Sequence, residues 1–410
     1  MKSSDSTNLL IMPNTWFQKF SMAILSTLPL LAWYKIAFPV SLGYALILFL
    51  GAYSIVREHF RINVVPLTFW VVFTYICLMW IYHNDFAIWT LFPPGGWLNF
   101  IFILAIIWGV LTFNLTLLKK YMRWVVLISI ALFWIQFSLK VTTGSQVFCF
   151  VPNLTGAFTY EGMSYSELAA HHLVGERPCS IFMEPSYMAH YLVTYLAIVW
   201  FSSKAKEQLL NKEILLIVIS LIALKSGSGM VAFAVLAMVK IFNMFWSANL
   251  GRRLLLIFLL IPMLIFVINM YIGSETGQMM LSRSDEFSTE GSSGFTRVVS
   301  GYLMFDQLDF KEQIIGIIDI HKRFGILRQD GNLIFFANGV QTILLSLGYL
   351  GALFYLLFYA SLFKRTSLAS RMCIIVLLIM SLIESNYLNP FMMLLTIIPC
   401  ADYYYNKSKV

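Results

Sequence analysis

The chain has 410 residues, 59% of them hydrophobic and 12% charged, with a mean hydropathy of +0.78. A soluble domain carries about 25% charged residues, so this balance excludes a soluble globular fold and points to a polytopic membrane protein. The formal net charge of +8 does not indicate a nucleic-acid partner, because the basic residues sit in short loops between apolar stretches rather than on one soluble face.

Residues 1–14 are polar and mixed, and no small-residue cleavage site follows the first apolar run, so no cleavable signal peptide is expected. A helix that crosses a bilayer needs about 17–25 apolar residues. Stretches of that length, or nearly, lie at 18–34, 38–56, 64–82, 97–118, 122–139, 184–202, 213–225, 230–248, 253–272, 338–362, 371–387 and 388–404. They predict an all-α polytopic membrane protein of about 12 transmembrane helices, forming a single integral membrane domain over 1–410. With the N-terminus in the cytoplasm, the inner loops hold Arg57 and Arg61; Lys119, Lys120 and Arg123; Lys204, Lys206 and Lys212; Arg252 and Arg253; and Lys364, Arg365 and Arg371. Most acids, among them Asp85, Glu161, Glu184, Asp285 and Asp309, fall on the other side. That asymmetry is the positive-inside pattern.

Two loops on the acidic side are long: a first periplasmic loop at 140–183 and a second at 273–337. In the first, Ser164-Tyr165-Ser166-Glu167 reads as a capping box, which predicts a short interfacial helix from Leu168. The second is Ser/Gly-rich from Ser282 to Gly294. From Phe295 it becomes partly apolar, and the spacing of Val298, Tyr302, Phe305 and Leu308 predicts an amphipathic helix. The long loops fall at unmatched places in the two halves, which argues against an inverted-repeat transporter.

The most informative stretch runs from Arg177 to Tyr191, where the first long loop meets an apolar segment. Pro185 suits the first position of a helix, with Glu184 at the entrance. Ser186, His190 and Thr194 then fall one turn apart, beside a second row of Tyr187, Tyr191 and Tyr195. Such groups belong in a bundle interior or a water-filled cavity, not against lipid. Glu184 has two readings: a general base or hydroxyl anchor, or a carboxylate favoured by the helix dipole. His190 is either a bundle histidine or a substrate contact. Arg177, Arg283, Arg297, Arg323 and Arg328 lie on the acidic side, against the charge bias. Arginine grips phosphate in a two-pronged fork, but each could equally pair with a neighbouring acid.

Lys225-Ser226-Gly227-Ser228-Gly229 lacks the spacing of a P-loop. It reads as a tight turn or as an anion-holding turn beside a lysine. His171-His172 has no third ligand suitably spaced, so no metal is expected. No Ser-His-Asp elbow and no dinucleotide-binding glycine pattern occur, so no cofactor is expected. Cys149 and Cys179 flank the first long loop and could pair in an oxidising compartment.

The run R-x-x-S-x-F-x-E-P-S-x-x-A-x-Y, made here by Arg177, Ser180, Phe182, Glu184, Pro185, Ser186, Ala189 and Tyr191, resembles the signature of the O-antigen polymerase (Wzy-type) family. Lys225–Gly229 is similar to that family's short Ser/Gly break, and Thr296-Arg297 to its second-loop arginine region. Arg328 to Gly339 fits an R-x10-G spacing, and Asn338-Gly339 with Gly348 and Gly351 resembles an N-G…G-x-x-G helix start. Related ligases carry His-Asn where this chain has Ala337-Asn338, which favours polymerase over ligase.

The resemblance implies a multi-pass enzyme of the bacterial inner membrane, acting at its periplasmic face. Its donor and acceptor would be undecaprenyl-diphosphate-linked oligosaccharides, its setting membrane lipids, and its partners a chain-length regulator and a flippase. Glu184, Arg177, Arg297 and Arg328 would be catalytic. Ser180, Ser186, His190, Tyr191, Lys225 and Asn338 would bind substrate. The rival readings are a lipid-linked glycan flippase or secondary transporter, an O-antigen ligase, and a non-catalytic assembly protein.

Overall fold

In the computed structural model the residues described are 15–31, 34–37, 40–57, 62–83, 97–144, 159–160, 163–164, 177–202, 211–247, 295–318, 320–324, 337–383 and 389–407. They form helices α1 (Trp16–Leu31), α2 (Leu42–Arg57), α3 (Leu67–His83), α4 (Trp97–Leu111) and α5 (Leu115–Thr143). Next come α6 (Pro185–Ser202), α7 (Lys212–Leu224) and α8 (Gly227–Ser247). Short helices α9 (Gly301–Asp306), α10 (Phe310–Ile315) and α11 (Ile320–Phe324) follow, then α12 (Gly339–Arg365), α13 (Leu368–Ser381) and α14 (Pro390–Lys407). Extended structure is confined to two small antiparallel ladders, Lys35–Ala37 with Val40–Ser41 and Thr159–Tyr160 with Met163–Ser164.

Among the described residues α5, α8 and α12 are long and apolar enough to cross a membrane, and α2, α3, α4 and α13 are shorter apolar helices. Every predicted apolar stretch except 253–272 falls on a described helix; that stretch lies outside the described residues, as do the expected helix from Leu168, the stretch 282–294, His171, His172, Cys149 and Arg283. One boundary is corrected. The predicted stretch 97–118 ends early, at Leu111, because Asn114 turns extended and its side chain accepts the Leu117 N–H at 3.1 Å, starting α5 at Leu115. A cap of this kind fixes a helix start wherever it stands, even inside an apolar run.

The centre of the bundle is α6 and α14, which are buried on nearly every side. Helix α6 packs on α5, α7, α8 and α13, and α14 on α1, α4, α12 and α13. A helix buried all round belongs inside a bundle. By contrast α5 and α8 expose Trp124, Ile128, Ile135 and Val141, and Val231, Met238, Phe242 and Trp246, faces suited to lipid. Interhelical hydrogen bonds join the helices inside, as is usual in membranes. Examples are Trp108 Nε1 to Ser21 Oγ at 3.0 Å and Trp134 Nε1 to Ser220 Oγ at 3.0 Å.

The two ends of α6 differ in chemistry. At its C-terminal end Glu213 joins Arg123 at 2.7 Å and accepts from the Tyr195 hydroxyl at 2.7 Å, while Lys119 donates to Ser202. The buried Lys240 caps the same end by donating to the Trp200 carbonyl at 2.6 Å. Ser186 is roughly 24 Å away at 1.5 Å of rise per residue. Thus the basic residues Lys119 and Arg123 meet one end of α6, and the segment from Arg177 enters at the other.

Helix α12 is broken. Gly348 has φ 65° and ψ −170°, outside helical space. The break frees the Leu345, Ser346 and Leu347 carbonyls. They accept from Ile317 N at 2.9 Å, Ile318 N at 3.2 Å and the Tyr75 hydroxyl at 2.8 Å. The loop segment carrying Ile317 and Ile318 lies so close that a Cβ on Gly348 would overlap the Ile314 carbonyl, and one on Gly316 (φ 81°) the Ser346 backbone. Irregular backbone within an apolar helix bundle is tolerated only with such replacement partners. Nearby, Phe305 and Leu308 bury against Ile317, Ala337 and Leu345. Val298 and Tyr302 do not join them and stay exposed. A π-turn at Thr296–Ser300 precedes α9. Its wider i→i+5 winding shifts Val298 out of phase with α9, and α9 ends at Asp306 before Leu308, so the expected single amphipathic face is corrected to Phe305 and Leu308.

Candidate functional site

The site grows from the entrance of α6. Pro185 opens the helix, as its fixed φ and missing N–H favour. Glu184 stands just outside and accepts from the Ser186 hydroxyl at 3.0 Å. Before it, Pro178, Cys179, Ser180, Phe182 and Met183 are buried, so the segment leading to the helix is anchored rather than draped. Arg177 and Glu184 are each half-buried at the two ends of this segment.

Arg177 Nη1 donates to the Lys225 carbonyl at 2.5 Å. Lys225 is the left-handed cap of α7, with φ 51° and its own N–H on the Ile222 carbonyl. A cation is favoured there, where the last carbonyls of a helix concentrate negative charge. The Ser/Gly break therefore acts as a tight turn and also as the anchor of Arg177. On its far side Ser226 heads α8, accepting from Gly229 N at 3.4 Å and lying 3.3 Å from the Ser228 hydroxyl. Ser228 Oγ is 2.8 Å from His190 Nε2. Gly229 is needed because a Cβ there would overlap the Ala189 side chain. The sequence motifs around residues 177–191 and 225–229 thus meet through Arg177, Lys225, Ser228 and His190.

The remaining polar rows of α6 point inward, as expected. His190, Tyr191 and Thr194 are fully buried. The Tyr191 hydroxyl donates to the Ser26 carbonyl at 2.6 Å, and Tyr187, His190 and Tyr191 surround the Phe391 ring at 6.1–6.3 Å. Ser180 is also fully buried. Its hydroxyl has no partner among the described residues, but its N–H donates to Gln136 Oε1 at 2.7 Å.

The second-loop residues stand on other elements. Asn338 caps α12 in a reciprocal box with Gln341, at 2.9 and 3.0 Å. Gln341 Nε2 also reaches the Val298 carbonyl at 2.8 Å. The π-turn that contains Arg297 is therefore tied to the start of α12. The side chain of Arg297 and all of Arg328 lie outside the described residues. Arg323 pairs with both Glu312 oxygens, at 2.9 and 3.2 Å. Glu312 pushes the Arg323 pKa up, so here the ion-pair reading holds.

Two participants escape sequence reasoning. Gln136 is a buried amide inside the apolar α5, and Tyr75 is one tyrosine among many. An amide within the apolar run of α5 is the available signal for Gln136. Among the described residues no group of His, Cys, Asp and Glu could hold a metal ion.

A bundle of apolar helices, three of them long and apolar enough among the described residues to cross a membrane, is the frame of an integral membrane protein. A family model described as WcaD colanic acid polymerase matches residues 38–402, from the first ladder through most of α14. The chain belongs to that family, in agreement with the Wzy-type resemblance, and is a polysaccharide repeat-unit polymerase of the membrane. No curated protein matches the chain.

Proposed function

We propose that this polymerase is a glycosyltransferase of the bacterial inner membrane. It moves a growing glycan from undecaprenyl diphosphate to a hydroxyl of a second lipid-linked repeat unit at the periplasmic face. The bond from the anomeric carbon to the diphosphate oxygen breaks, and a bond from that carbon to the acceptor oxygen forms. The acceptor proton passes to a base, and the diphosphate leaves with its electron pair. The donor carries the free energy, so no nucleotide is needed.

The observation that carries this reading is the entrance of α6, where half-buried Arg177 and Glu184 bracket one anchored segment. Glu184 accepts or orients the acceptor proton, and Ser186 holds the carboxylate's direction. Arg177 faces the diphosphate, where a fixed cation favours the charge that develops on the leaving group. Arg297 and Arg328 supply further guanidiniums from the second loop, where fork geometry suits phosphate. Ser186 and Lys225 stand at the accessible side and touch substrate. The buried Ser180, His190, Tyr191 and Asn338 shape the site from behind. A flippase that delivers the units and a chain-length regulator are the expected protein partners.

The test is chemical. Protein in lipid vesicles, given undecaprenyl-diphosphate-linked repeat units and no nucleotide sugar, should yield a ladder of joined units and free undecaprenyl diphosphate. A host strain lacking the protein should carry surface glycan of one repeat unit. Transfer of units across the vesicle membrane with no ladder would favour the flippase reading and defeat this one.

A further inference from the structure

We propose that Gln136 is a positioning residue for the reaction, and that it acts by holding the backbone of Ser180. The inference rests on the site assigned above. Gln136 is buried in the last third of a 29-residue apolar helix, with Phe133 and Phe137 beside it. An amide placed there costs free energy unless bonded, and a leucine would fill the same space without that cost. Among the described residues it bonds to the backbone of Ser180. Oε1 accepts the Ser180 N–H at 2.7 Å, and Nε2 reaches the Ser180 carbonyl at 3.5 Å.

Ser180 is one of the few non-glycine residues described with positive φ, at 60°. It occupies the first central position of the turn closed by Phe182 N to the Cys179 carbonyl at 3.1 Å, as in a type II′ turn. Glycine normally takes that place, because a Cβ disfavours it. Here a serine is kept in it by a side chain 44 residues away. The turn lies between Arg177 and Glu184, so its geometry sets how far apart the cation and the carboxylate stand. Arg177 is fixed at one end by Lys225 and Glu184 at the other by the start of α6. Gln136 holds the hydrogen-bonded turn between them.

A purely structural amide would hold the loop without affecting turnover at saturating substrate. The test uses the full-length protein in vesicles with three variants: Gln136→Leu, Gln136→Leu with Ser180→Gly, and Glu184→Gln as a reference. Two readouts are taken: kcat and KM for ladder formation, and hydrogen exchange of the 177–184 segment. Gln136→Leu should speed exchange at Ser180 and lower kcat about 10- to 100-fold with little change in KM, since small misplacements of reacting groups cost that much. Adding Ser180→Gly should recover at least about tenfold of the lost kcat, because glycine takes the positive φ unaided.

Unchanged exchange in Gln136→Leu would overturn the clasp. Faster exchange with wild-type kcat would overturn its role in positioning, as would a loss of kcat that the glycine does not relieve. Full turnover by Glu184→Gln would instead overturn the site assignment itself, while exchange would still report on the clasp.

Discussion

The break in α12 offers the sharpest test of how the second loop is held. Gly348→Ala places a Cβ at φ 65° and ψ −170°, a region open essentially to glycine alone. Forcing another residue there costs about 1–3 kcal/mol. The Cβ would also overlap the Ile314 carbonyl, so the loop segment must lift away. The bonds at risk are Ile317 N to Leu345 O, Ile318 N to Ser346 O, and the Tyr75 hydroxyl to Leu347 O. At about 0.5–1.5 kcal/mol each, and with the backbone cost added, the loss is roughly 2.5–7.5 kcal/mol. For a large chain at about 2 °C per kcal/mol, the midpoint should fall by roughly 5–15 °C. A thermal scan with a thiol-reactive fluorophore reads this directly, because Cys373 and Cys400 are free and fully buried until the bundle opens. Gly316→Ala should act alike, since its Cβ would strike the Ser346 backbone. The double variant should cost little more than the worse single one, because both break the same contact. A midpoint within about 1 °C of wild type for Gly348→Ala, with normal polymer, would refute the account, since even the backbone cost alone should move it further.

Glu184→Gln keeps size and an acceptor for Ser186, so the protein should fold and accumulate normally while polymerisation falls roughly 10²–10⁴-fold, the usual worth of a general base; polymer near the wild-type level, by gel ladder, would remove Glu184 from that role. Exchanging the charges, Arg177→Glu with Glu184→Arg, should not restore the ladder, whereas a structural pair would tolerate it. Arg297→Ala and Arg328→Ala should each abolish polymer, with lysine rescuing only in part because an ammonium cannot make the forked contact; ladders from both alanine variants at normal protein level would count against them. Reporter fusions at Ser292 and Lys206 should give opposite signals, and equal signals would sink the assigned orientation.

How much of this could be read from the sequence depended on how local the cause was. Pro185 could be placed because its ring fixes the helix start by itself. The inward face of Ser186, His190 and Thr194 followed from helical spacing. Asn114 is masked as a cap by the apolar run around it, although its partner is only three residues on. The break at Gly348 was not legible. Its φ depends on Gly316 and on carbonyls that a distant loop must satisfy, whereas by sequence Gly348 resembles part of a helix start. Gln136 and Ser180 are 44 residues apart, so neither announces the other. Charge bias alone does not separate Arg323 from Arg177, although only Arg177 stands in the family-like signature. Only folding sets one against Glu312 and the other against the end of α7.

The central place of α14 bears on how the protein is made. Helices α1 and α4 bury much of their surface against it, yet it follows α4 by nearly the whole length of the later bundle. At about 5–20 residues per second, α1 and α4 wait on the order of 15–60 s after their own synthesis before α14 exists. During that interval Ser21 and Trp108 can already meet, but the face of α4 at Gly109 that will receive Ile397 stands open to lipid. Assembly in the membrane is thus a late insertion into a waiting cleft, not the addition of one more helix to a finished wall.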